Sequence, residues 1–71
     1  MVTRQDIDNW FTYHSPKGDQ SIRYSMIREK AKELAILIIE NTPSSADQSA
    51  AIRLLRECIM TANAAIACNE V

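Results

Sequence analysis

From Gln20 to Val71 the chain holds one helix breaker, Pro43, and no Gly. A proline lacks the backbone donor a helix needs, and it pushes the residue before it out of the helical region. Thr42-Pro43 therefore ends one long helix, predicted over about residues 20–41. Ser45 followed by Gln48 makes a capping box that starts another, with Ser44 and Asp47 as a near-equivalent. This second helix is predicted over about 45–67. A link of only a few residues makes the two antiparallel neighbours, an αα-hairpin.

Ahead of the hairpin, Thr3 and Asp6 have capping-box spacing and start a short helix over about 3–12, through Ile7 and Trp10. It ends before Ser15-Pro16, and Lys17-Gly18-Asp19 reads as a loop with Asp19 as N-cap. No strand pattern is present. The expected fold class is all-α, with residues 1–71 as one domain: a short N-terminal helix followed by an antiparallel two-helix hairpin.

A 71-residue chain has little core of its own; at this size about 60% of the unfolded surface is buried. Ile27, Ala31, Leu34 and Ile38 mark the stripe of the first long helix at spacings of four, three and four. Leu34 to Ile39 is an unbroken run of six apolar residues. A helix apolar all round is buried all round, and one partner helix cannot surround that turn. The second stripe is Ala51, Ile52, Leu55, Cys58, Ile59, Ala62, Ala65 and Ile66, while Met60, Ala64 and Ala67 lie off it. Assembly into a helical homo-oligomer is the expectation. Cys58 is expected to be a small buried hydrophobe, and Trp10 and Phe11 are expected to plug the end of the hairpin.

Several classes are excluded. No window is long and apolar enough to span a membrane, and no signal-peptide pattern opens the chain. Cys58 and Cys68 are too few for a disulfide scaffold and read as free thiols in a reducing cytosol. His14 is the only His, with no metal-ligand or nucleophile pattern around it, and no HExxH, CxxC, phosphate loop or GxGxxG occurs. No enzyme, metal or cofactor is expected. The net charge of −1 argues against a DNA or RNA polymer as partner.

Charge is nevertheless segregated. Residues 17–32 carry +3 through Lys17, Arg23, Arg28, Lys30 and Lys32 against Asp19 and Glu29, whereas residues 33–71 carry −3. A local basic patch on a near-neutral chain suits a small anion; a solvated helix face is the alternative. Tyr24, Arg28 and Lys32 are four apart and share a face bordering the apolar stripe. Arg28 can grip a phosphate with a planar fork, and Lys32 adds a point charge. Tyr13 and His14 lie at the exit of the first helix, where a ring can stack a nucleobase. Arg53 and Arg56 lie with Asn63 on the far side of the last helix from Cys58, and read either as an anion-binding ring near a symmetry axis or as ordinary surface residues. Together these features point to a nucleotide-like ligand at a helical interface.

The order of FTYH at Phe11–His14, Pro16-Lys17, Arg23-Tyr24, Ile27–Glu29, AKELA at Ala31–Ala35, the turn NTPSSADQ and the final ANAAIA resembles the phage anti-CBASS cyclic-nucleotide sponges of the Acb type, over about residues 10–69. The resemblance implies a helical homo-oligomer, in that family a hexamer, acting in the host bacterial cytoplasm. It implies sequestration without turnover of cyclic dinucleotides such as cyclic GMP-AMP, and of cyclic trinucleotides. These are the alarm molecules that activate CBASS effectors. It places Tyr13 and a cation of the following helix in dinucleotide pockets shared between protomers. Arg28 is the choice for that cation, with Lys17 and Lys32 as rivals and His14 alongside. Arg53 and Asn63 are the candidates for a trinucleotide pocket. The chain departs from the family at Thr61, where many relatives carry Trp, and at Cys68, where some carry Arg. A small helical adaptor or protein-interaction module is the competing reading, and a minor phosphodiesterase a third.

Overall fold

The computed structural model describes residues 1–71 as three helices: α1 (Arg4–Trp10), α2 (Gln20–Asn41) and α3 (Ala46–Asn69). In α1 the Thr3 hydroxyl accepts from the Asp6 amide at 3.1 Å, and the Asp6 carboxylate accepts from the Thr3 amide at 2.9 Å. Two orphan donors are thereby satisfied at once. The helix stops earlier than its pattern suggests. Phe11 caps it through its amide to the Ile7 carbonyl at 3.0 Å, and the Thr12 hydroxyl turns back to the Asp8 carbonyl. Gly18 follows with φ of 57°, the left-handed conformation that a residue without Cβ adopts freely.

Asp19 occupies the N-cap of α2 but makes no capping bond there. Its carboxylate instead takes the Arg23 Nε at 3.1 Å. Gln20 serves the turn: its Oε1 accepts from the Lys17 amide at 3.1 Å.

At the other end of α2, two side chains return to the last carbonyls. Asn41 Nδ2 donates to Leu37 at 2.8 Å, and the Thr42 hydroxyl donates to Ile38 at 2.7 Å. Ser45 caps α3 by accepting from the Gln48 amide at 3.1 Å. The Gln48 side chain does not return to Ser45 to complete the expected box. Its Nε2 donates to the Thr42 carbonyl at 3.1 Å and the Thr42 hydroxyl at 3.0 Å. A glutamine amide has donors to give, and the end of α2 has carbonyls that need them. Gln48 thus locks the hairpin turn.

The helices α2 and α3 pack side by side, and α1 rests against α3. The molecule measures 43 × 29 × 15 Å, a layer one helix thick. Only Ile66 and Gln20 are buried, at 8% and 5% exposure. Leu34, Ile36, Leu37 and Ile39 all keep about half their surface in solvent. The six-residue apolar run is thus left uncovered by the hairpin itself. Cys58 is exposed rather than buried, because one flanking helix covers only part of a stripe this wide. Trp10 is half-exposed and Phe11 largely exposed, so neither plugs the hairpin. A polar tie holds α1 instead: Asn9 Nδ2 donates to the Cys68 carbonyl at 2.8 Å, and His14 Nε2 pairs with the Asn9 carbonyl at 2.8 Å.

A clasp joins the start of α2 to the end of α3. Arg23 donates twice to Glu70, through Nη1 at 2.8 Å and Nη2 at 2.5 Å, and Gln20 Nε2 adds a bond at 3.2 Å. These bonds, helped by the positive charges of Arg23 and Lys17, lower the Glu70 carboxyl from 4.5 to about 2. The same contacts hold the Arg23 guanidinium above its usual value. A carboxyl lowered by folding stabilises above its unfolded pKa and loses that contribution as pH falls through the folded one. The clasp should therefore be complete above pH 4.5 and lost toward pH 2. Both side chains reach solvent, so screening keeps the effect modest. Thermal unfolding of the parent and of Glu70→Gln across that window checks this. The variant should melt lower at neutral pH, and the difference should close as the acid is titrated.

Candidate functional site

A groove of about 380 Å³ runs between α2 and α3. Its floor is apolar, with Ala31 and Ala35 from α2 and Ile52, Leu55 and Ile59 from α3. Three cations stand on its rims: Arg28 and Lys32 from α2, and Arg56 from α3. Helix geometry puts them there. Arg28 and Lys32 are one turn apart, and Arg56 is four residues after Ile52 and four before Met60, on the same edge of α3.

None of the three is spent in an ion pair. The ion pairs of the chain join Arg23 to Asp19 and Glu70, and Lys30 to Glu33. Arg28 has one side-chain partner, the Ser25 hydroxyl at 3.2 Å from Nη2. A cationic rim over an apolar floor offers an anion two things at once: donors for its charge and a dry surface for its flat parts.

The opposite side of the hairpin differs. A second hollow there is lined by Met26, Ile27, Ala31, Leu34, Leu55, Cys58 and Ile59, with Lys30 its one charged residue. That lysine is already paired with Glu33 at 3.3 Å. The layer thus has one cationic groove and one largely apolar hollow, which Glu29, Lys30 and Glu33 border beyond Met26.

Arg28 and Lys32, singled out from sequence, come together in the groove. Tyr13 does not line it; the ring is 83% exposed, in the loop before α2. His14 is half-buried and lies in a polar hollow with Gln5, Asp6, Asp8, Asn9 and Thr12. Its Nε2 is engaged by the Asn9 carbonyl, a structural job. The Lys17 side chain is at the loop, near enough to Glu70 to help depress its pKa. Arg53 is exposed and outside the groove. Asn63 is half-buried, and its Oδ1 is shielded without a hydrogen-bond partner. Arg53 and Asn63 are ten residues apart on α3, about 15 Å along the axis. One protomer cannot place both on one phosphate.

Sequence reasoning grouped Arg56 with Arg53, as an anion-binding ring or as surface residues, and did not place it opposite Arg28. Its spacing from Ile52 and Met60 was the signal available. The Arg23–Glu70 pair, 47 residues apart in sequence, had no local signal at all. No group of three His, Cys, Asp or Glu side chains converges that could hold a metal ion. No helix is long and apolar enough to cross a membrane.

A family model described as the Acb2/Tad1 hairpin domain matches residues 3–67. No curated protein and no solved structure matches the chain.

Proposed function

The chain belongs to the Acb2/Tad1 hairpin family, and from that membership we propose that it is a phage sponge that sequesters cyclic oligonucleotides without cutting them. The ligands are the second messengers of CBASS immunity: cyclic dinucleotides such as cyclic GMP-AMP, and cyclic trinucleotides. Holding them in the host cytoplasm keeps the CBASS effectors silent. The family is one of a sponge-type hairpin domain and not an enzyme family.

The observation that carries this reading is the groove of Arg28, Lys32 and Arg56 over an apolar floor, its cations free of carboxylate partners. Phosphodiesters take the cations, and purine rings take the apolar surface. Tyr13 supplies a stacking face. The family resemblance implies a pocket shared between copies, and Tyr13, which does not line its own protomer's groove, fits a pocket in which Arg28 comes from a second copy. Lys17 and His14 flank Tyr13 in the same loop. For the trinucleotide, Arg53 and Asn63 are the candidates, reaching different parts of the ligand or acting from different copies.

A shared pocket needs an assembly, and the exposed apolar run from Leu34 to Ile39 supports one. We expect a homo-oligomer of more than two chains, a hexamer by analogy with the family. Light scattering at micromolar concentration tests this, and a monomer mass would remove both the assembly and the shared pocket.

The ligand itself is tested by thermal shift against a panel of cyclic di- and trinucleotides. A ligand at about 100 times its dissociation constant adds about 2.7 kcal/mol. Ligand recovered intact on heating the complex means sequestration, and linear product would mean an enzyme. An oligomer that responds to no cyclic nucleotide would favour an adaptor module instead.

A further inference from the structure

We infer that Arg56 is a ligand-binding residue: across the groove from Arg28 and Lys32, it makes each hairpin a three-cation site for a phosphodiester-bearing nucleotide. This rests on the sponge reading above and names a contact of that same site.

The two long helices make different contributions. The α2 rim carries Arg28 and Lys32 one turn apart, so phosphates bound there are held from one side only. Arg56 reaches from the α3 rim of the same groove. It brings five donors in a planar fork, which match a phosphate in pairs. A ligand gripped from both rims is fixed across the groove as well as along it, with its bases over Ala31, Ile52, Leu55 and Ile59. Nothing in the protein competes for Arg56, because no carboxylate pairs with it. The groove's volume, about 380 Å³, falls within the usual range of small-molecule sites. Arg4, Lys17 and Arg53 are also unpaired but line other surfaces, so freedom from ion pairing alone does not pick out Arg56. Its place on the rim does.

Calorimetry with cyclic GMP-AMP at low and high salt tests the inference on the parent, Arg56→Ala, Arg56→Lys and Arg28→Ala. Arg56→Ala is expected to bind about tenfold or more weakly, the loss of a charged hydrogen bond. Its affinity should also depend less on salt. Arg56→Lys keeps the charge without the fork and should fall between. Arg56 is exposed, so the unfolding midpoint of Arg56→Ala should match the parent's. If Arg28→Ala loses binding while Arg56→Ala binds like the parent, Arg56 is rejected and the sponge reading stands. If the parent binds neither cyclic dinucleotide nor cyclic trinucleotide, the sponge reading fails. Inorganic pyrophosphate then decides the groove: joint shifts of the Arg28 and Arg56 side-chain Nε resonances sustain a three-cation anion site, and their absence overturns it.

Discussion

Replacing Tyr13 or Arg28 with Ala should weaken cyclic dinucleotide binding at least about a hundredfold. An aromatic stack contributes about 1–3 kcal/mol per base, and a charged hydrogen bond about 1.5–3 kcal/mol. If the pocket is built from two copies, one substitution removes two of each. Two losses of about 1.4 kcal/mol already make a hundredfold. Arg28 is placed for this role, on the rim of the groove with a single side-chain partner, Ser25. Tyr13 is placed by exposure: its ring is 83% accessible and free to reach a neighbouring copy. Neither belongs to the apolar stripes of α2 and α3, so assembly should survive either change. Trinucleotide binding should survive too if its pocket is separate, and should respond to Arg53→Ala. Calorimetry on the three variants checks this. Parent-like binding by Tyr13→Ala would show that the ring is no part of the site. Parent-like binding by Arg28→Ala would move the role to Lys32 or Lys17.

The second large effect is expected at Ile66, the one buried hydrophobic residue of the chain. Truncating a buried Ile to Ala removes about 2–5 kcal/mol. A domain of this size holds only about 3–5 kcal/mol in all. Ile66→Ala should therefore leave the protein largely unfolded, or close to it, at 37 °C. Chemical denaturation with circular dichroism measures it. Leu37→Ala is the informative comparison, since Leu37 is 56% exposed in the single hairpin. If the apolar run is covered by other copies, the Leu37→Ala penalty grows with protein concentration, while the Ile66→Ala penalty is present at every concentration. A Leu37→Ala variant as stable as the parent throughout would mean that the run stays in solvent.

The hairpin was legible because its signals are local. Thr42-Pro43 and Ser45 act within a few residues of themselves, and the predicted span of α2 coincides with the observed Gln20–Asn41. The helix α3 runs two residues past its predicted end, to Asn69, where Asn9 and Glu70 tie it down from other parts of the chain. Periodicity also misled. It says which residues are apolar together, but not how much of the stripe one neighbour covers. Cys58 belongs to the stripe and is exposed, because the layer is one helix thick. Trp10 and Phe11 looked like core by residue type, yet Phe11 is largely exposed and Trp10 only edges a hollow with Ala64, Ala65 and Cys68 of α3, beside the hydrogen bond from Asn9. At the site, spacing put Arg28 and Lys32 on one rim. Which residue stands on the opposite rim depends on how α3 is rotated against α2, and no single-helix argument contains that angle.

The clasp at Glu70 has a consequence for the chain's topology. Val71 lies in the same hollow as Gln5, Asp6 and Asp8, and Glu70 is bonded to Gln20 and Arg23. The first helix and the end of α3 thus meet at one pole of the molecule, and the Pro43 turn lies at the other. The exposed residues Pro43 and Ser44 are where an insertion would cut neither long helix. Fusions and labels attached at the turn would likewise stand at the opposite pole from α1 and the Tyr13 loop.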